Sequence, residues 1–220
     1  MRSVRVKICG LTREEDLAVA IASGADAVGF LVGVPSSPRN LSLERLKRML
    51  VKVPVFIDSV VVTSEKNISW LVEVCEKLQP SAIQIHGKEQ IDSSKIRDRI
   101  KNIRLIKTVY VTQYALKERL IEDLKTFDAV LLDSFNKGQY GGTGKVHDWN
   151  ISKQIIEAIE PVPVILAGGL NPENVKEAIL TTKPYAVDVA SGIEASPGVK
   201  DHKKIRLFVE TAKQLKIDKN

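Results

Sequence analysis

A single (β/α)8 barrel is the fold predicted by this 220-residue sequence, and three observations predict it. Short apolar runs alternate with amphipathic segments of helical length. Eight of each occur. The last two runs each open into a loop bearing glycine or serine. Strand–helix alternation at this spacing argues for parallel β-structure, because parallel neighbours need a long crossover. Eight units is the number that closes a barrel; an open doubly wound sheet usually has fewer strands and stands second. No linker or low-complexity segment interrupts the alternation, so residues 1–220 read as one domain.

The elements follow in order. The first run, Val4–Cys9, puts Val4, Val6 and Ile8 on one face and Lys7 and Cys9 on the other. A helix is expected over Arg13–Ser23, with Thr12 as N-cap, Glu15 at the capping-box position and Gly24 as its stop. Ala25–Val32 leads through the loop PSSPRNLS to a helix at Leu43–Val51. Val55–Val62 precedes Asn67–Leu78, whose WLVEVCEKL pattern packs Cys75. Ala82–His86 turns Ile83 and Ile85 outward and Gln84 and His86 inward, before a helix at Ile91–Lys101. Leu105–Val111 precedes Gln113–Lys125.

The sixth run, Ala129–Asp133, stops abruptly on a carboxylate, with Val130 and Leu132 outward and Leu131 and Asp133 inward. A loop with Gly138, Gly141, Gly142 and Gly144 follows, and a helix resumes at Ile151–Glu160. This loop is not a Walker phosphate loop: Gln139 stands at the first glycine position and Val146 follows Lys145. Val162–Ala167 runs into AGGLNPEN, where Asn171 and Pro172 read as N-cap and first turn of a helix to Leu180. Tyr185–Ala190 runs into VASGIE, and Asp201–Lys216 is the last helix.

Composition narrows the function. A formal net charge of +6 and a pI near 9.2 permit nucleic acid, but the basic residues are scattered among acids and aromatics are only 5%. The charge therefore reads as solvation plus attraction for a small anion, not as a nucleic-acid surface. No apolar run approaches membrane-spanning length, and no signal-peptide core is seen. Two cysteines far apart in sequence argue for reduced thiols in the cytoplasm. Three histidines at unrelated spacings suggest no metal site.

In such a barrel, chemistry sits at the C-terminal ends of the strands. The inward polar residues of the first, fourth and sixth strands converge there. For Cys9 two readings stand: a small buried hydrophobe, or a thiolate favoured by Lys7 on the same face. Lys7 reads as a structural charge or a Schiff-base lysine, and His86 as a hydrogen-bonding group of the barrel mouth. Arg39 is a solvated loop residue or a bidentate clamp for a carboxylate. The loops at Gly168–Gly169 and Ser191–Gly192, after consecutive final strands, match the position where barrels bind phosphate.

The segments KICGLT, SGADAVGF, SPRNLS, IQIHG, LLDS, YGGTGKVHDW, AGGLNPENV and YAVDVASGIE, in that order, resemble phosphoribosylanthranilate isomerase of tryptophan biosynthesis. FIDSVVVTSE departs from that family's third strand, and VASG stands where VSSG is commoner. The resemblance implies an Amadori rearrangement without cofactor or metal, Asp133 as general acid and Cys9 as general base. It implies Arg39 on the substrate's carboxylate, and phosphate held at Gly142–Gly144, Gly168–Gly169 and Ser191–Gly192. The acid then needs a raised pKa, and Lys7 is expected to help Cys9 deprotonate. The implied partner is a phosphorylated small molecule, bound by a monomer or homodimer. Sibling sugar-phosphate isomerase barrels and a non-catalytic phosphate sensor remain the alternatives.

Overall fold

The computed structural model describes residues 1–87, 93–112, 117–134 and 146–217. Eight parallel strands form its centre: β1 (Arg5–Ile8), β2 (Ala27–Val32), β3 (Asp58–Thr63), β4 (Ala82–Ile85), β5 (Arg104–Val111), β6 (Ala129–Ser134), β7 (Val164–Leu166) and β8 (Ala186–Val189). Each pairs with its neighbours in sequence, and β1 pairs with both β8 and β2, Lys7 opposite Asp188 and Ala27. The sheet is closed. Residues 40–41 add a short parallel strand beside β2, and residues 2–3 pair antiparallel with 216–217.

The helices are α1 (Glu14–Ala22), α2 (Leu43–Leu50), α3 (Ile68–Leu78), α4 (Ser93–Arg97), α5 (Glu118–Leu124), α6 (Trp149–Ala158), α7 (Val175–Thr182) and α8 (His202–Gln214). Local chemistry sets several starts. Ser42, Asn67, Asp148 and Asp201 each accept a backbone N–H of the first turn. Gly24 ends α1 at φ 91. Two expected caps differ. Thr12 does not cap α1, because its hydroxyl donates to the Gly198 carbonyl and Arg13 takes the N-cap position. Asn171 caps a turn, accepting from Glu173 N and Asn174 N, and α7 begins only at Val175.

Other boundaries also shift. The third strand starts at Asp58, since Val55 and Phe56 lie in an exposed turn. Of the helices expected at Ile91–Lys101 and Gln113–Lys125, the described residues show α4 and α5, and residues 91–92 and 113–116 fall outside the described set.

Alternation along the strands divides the core in two. Val4, Val6, Ile8, Ile83, Ile85, Val130 and Leu132 face the helices. Cys9, Val60, Val62, Ile106, Leu131 and Ile165 fill the barrel. Each large aliphatic side chain fully buried this way contributes roughly 1.5–3 kcal/mol. That rigid frame holds the C-terminal strand ends in register.

Candidate active site

The polar residues gather at those strand ends. Lys7 and Asp188, opposite one another on β1 and β8, form a buried ion pair at 2.8 Å. Burial alone would pull the Lys7 ammonium down, but Asp188 and Cys9 beside it outweigh this and hold its pKa at about 12. Lys7 therefore stays cationic, which removes the Schiff-base reading.

Cys9 is buried directly after β1. Desolvation pushes its thiol above the usual value, and Lys7 and Lys200 pull it back without cancelling the rise. Lys7 thus favours the thiolate, in the direction expected, but the cost of an ionised sulfur in a dry site is larger.

Asp133 stands inward near the end of β6. Burial pushes its pKa up to about 6, although the Ser134 N–H donates to Oδ1 at 2.7 Å; the Asp188 charge raises it further. A carboxyl of this kind keeps a proton to give close to neutral pH. His86 shares a 2.9 Å hydrogen bond with the Tyr110 hydroxyl and packs edge-on against that ring. Burial lowers its pKa to about 4, so it is a neutral wall of the mouth.

Arg39 sits at the end of the loop after β2 and is held by Glu194. Gly142 and Gly144 lie outside the described residues. Gly168 and Gly169, at φ 79 and 72, turn the chain after β7 across the top of β6. A Cβ on Gly168 would lie 2.4 Å from Ser134 N and 3.0 Å from the Asp133 carboxylate, so this loop abuts the candidate acid. Among the described residues, no hydrogen bond is donated by the Gly168, Gly169 or Leu170 amides. Ser191 and Gly192 begin a 3-10 turn after β8.

The two loops touch: a Cβ on Gly192 would fall 1.9 Å from the Leu170 carbonyl oxygen. Gly192→Ala must therefore push them apart. Its expected result is a KM for a phosphorylated substrate raised about tenfold or more with kcat changed little, read from initial rates. An unchanged KM would remove this loop pair from phosphate binding.

Sequence reasoning missed Asp188, Glu194 and Lys200. Asp188 was readable, since it shares its face with Ala186 and Ala190 on the last strand. Glu194 and Lys200 were not. They lie in a short antiparallel hairpin, 194–196 with 199–200, that carries no periodic signal.

A closed parallel barrel with a carboxyl of raised pKa, a thiol and two touching glycine-bearing loops gathered at one mouth defines the class: a barrel enzyme with its polar groups at the strand ends. Comparison with known proteins is specific. The family model for N-(5'phosphoribosyl)anthranilate (PRA) isomerase matches residues 6–211. The N-(5'-phosphoribosyl)anthranilate isomerase of Methanocella arvoryzae is 42% identical, over 96% of this chain and 99% of its own.

A solved phosphoribosyl anthranilate isomerase from Thermotoga maritima superposes with a TM-score of 0.83 at 40% identity, covering 96% of this chain and 100% of that one. Monomers generated from the dimeric enzyme of that organism give a TM-score of 0.79 at 38% identity, with the same coverage. An isomerase solved with reduced 1-(o-carboxyphenylamino)-1-deoxyribulose 5-phosphate gives 0.78 at 39%, again over 96% and 100%. The chain belongs to the N-(5'-phosphoribosyl)anthranilate isomerase family, the isomerases of tryptophan biosynthesis.

Proposed function

We propose that the chain, as one catalytic domain over residues 1–220, converts N-(5-phosphoribosyl)anthranilate to 1-(2-carboxyphenylamino)-1-deoxyribulose 5-phosphate, with Asp133 as general acid and Cys9 as general base. The observation that carries the reading is the Asp133 carboxyl, half-buried and set inward near the end of β6 with its pKa raised to about 6, in the same mouth as the buried Cys9. Asp133 gives its proton to the furanose ring oxygen. The C1–O bond breaks and the anilino nitrogen's lone pair forms an iminium. Cys9 takes the proton from C2, giving an enolamine that tautomerises to the amino ketose. No electrons leave the substrate.

The amides of Gly168–Leu170 and the Ser191–Gly192 turn bind the phosphate, with Gly142 and Gly144 assigned by resemblance. Arg39 holds the anthranilate carboxylate. Lys7 stabilises the transient Cys9 thiolate, and His86 lines the substrate pocket. Loss of substrate fluorescence with purified protein tests the reading, and no decay with bound substrate would overturn it.

The proposal places the enzyme in the cytoplasm. Its two thiols are free and buried, and among the described residues no helix is long and apolar enough to cross a membrane.

A homodimer is favoured over a monomer by the opposite end of the barrel. There Val51, Val55 and Phe56 are 82, 79 and 99% exposed beside a concavity of about 790 Å³. Phe56 is held at φ 74, a left-handed conformation that costs on the order of 1 kcal/mol in a side chain left almost fully exposed. A second copy covering this turn accounts for both features. Phe56→Asp is expected to halve the mass measured by light scattering while leaving kcat unchanged. A monomeric parent protein would defeat the dimer.

A further inference from the structure

We infer that Glu194 and Lys200 are positioning residues that fix the guanidinium of Arg39 so that only its end-on edge meets the substrate's carboxylate. This rests on the reading of Arg39 given above and adds the device that makes it selective.

The geometry is a buried triad. Arg39 Nε donates to Glu194 Oε1 at 2.7 Å and Nη2 to Oε2 at 2.6 Å. Lys200 Nζ donates to the same Oε1 at 2.9 Å and to the Ala190 carbonyl at 2.9 Å. The side chains of Arg39, Glu194 and Lys200 are 11, 6 and 0% exposed. Burial works against the Glu194 charge, but its cationic partners hold its pKa below the usual carboxylate value.

Arginine carries two donor forks. Glu194 occupies the side-on fork, Nε with Nη2. The end-on fork, Nη1 with the second Nη2 hydrogen, makes no bond among the described residues. A planar carboxylate fits that fork bidentately. The stem is also fixed. A Cβ on Gly10 would lie 2.5 Å from Arg39 Cδ, so the side chain runs across the chain directly after Cys9.

Charge counting gives the same answer. The triad sets two basic groups against one carboxylate; burial pulls the Lys200 pKa down while Glu194 holds it up, so positive charge exceeds negative in a largely dry site. An incoming carboxylate balances it. Without Glu194 the cluster would hold two adjacent buried cations, and Arg39 would turn away. The opposite role, Glu194 as a competitor that substrate must displace, fits less well because Lys200 and both Arg39 contacts tie Glu194 down.

The test compares Glu194→Gln and Arg39→Met with the parent enzyme on two substrates, N-(5-phosphoribosyl)anthranilate and the aniline analogue lacking the carboxylate. For the parent, the ratio of kcat/KM values measures recognition of the carboxylate. Arg39→Met is expected to abolish it. Glu194→Gln is expected to raise KM for the anthranilate about tenfold or more, with kcat within about threefold and the analogue unaffected.

A merely structural role would depress both substrates alike, and that result overturns the inference. A lower KM in Glu194→Gln would make Glu194 a competitor, and overturns it too. Parental discrimination in Glu194→Gln, alongside its loss in Arg39→Met, sinks Glu194 but keeps Arg39. Parental discrimination in Arg39→Met sinks both. Should Glu194→Gln not fold, Glu194→Asp carries the test: it keeps the charge but is one methylene short of spanning Arg39 and Lys200. It is expected to raise the anthranilate KM in the same direction, and an unchanged KM would overturn the inference.

Discussion

Asp133→Asn is expected to lower kcat by about 10³-fold or more while making the protein more stable at pH 8. Both effects have one cause. Asparagine can keep the bond that Oδ1 accepts from Ser134 N, so the local geometry survives. What disappears is the transferable proton and, above its pKa, a charge in a desolvated site. The folded-state pKa is raised from 3.8 to about 6, so the carboxyl's contribution to stability is fully present below about pH 4 and is lost as pH rises through 6. Well above pH 6 the parent protein carries this charge at a cost on the order of 3 kcal/mol. The variant avoids that cost. Paired thermal melts should show a higher Tm for Asp133→Asn at pH 8 and no gain at pH 4. Parental kcat in the variant would end the general-acid assignment, and equal melting at both pH values would mean the carboxyl is better solvated than its burial indicates.

What the sequence made legible was what periodicity encodes. Strand alternation placed Lys7, Cys9, Gln84, His86, Leu131 and Asp133 inward, and the two core clusters divide along those faces. Element ends were less legible, because they are set by contacts distant in sequence. Thr12 reads as an N-cap until Gly198 arrives from the other end of the chain to accept its hydroxyl. Val55 and Phe56 read as strand because they are β-formers, but the ladder between β2 and β3 starts at Asp58 opposite Ala27. In the site, the sequence supplied residues from motifs and strand ends, and left out the charges that tune them. Glu194, with Lys200 bonded to it, reaches Arg39 from a hairpin 155 residues away, a distance no local pattern spans. The sign of the Cys9 shift was also out of reach, since it depends on how far burial outweighs a neighbouring ammonium.

Cys9→Ala is expected to cost about 10²–10⁴-fold in kcat, with KM nearly unchanged, because only the proton acceptor is lost. The accompanying pH profile says more. The catalytic form needs Asp133 protonated and Cys9 ionised, the reverse of the order in which their pKa values would empty them. That form carries the same number of protons as the one with Asp133 ionised and Cys9 neutral. The two therefore rise and fall together. For the parent enzyme, kcat/KM should fall below about pH 6, where the pair holds both protons, stay flat across neutrality, and fall again only above the raised Cys9 pKa. Activity is flat at pH 7 because the rare productive form stays a constant fraction of the whole, not because either group is in its catalytic state. The thiol can be read independently by its rate of alkylation against pH. A Cys75→Ala background removes the other thiol, so that the alkylation reports Cys9. The upper limb of kcat/KM should coincide with the alkylation midpoint of Cys9. An upper limb lying far below that midpoint would assign the base to another group, and a Cys9→Ala enzyme with parental kcat would do so directly.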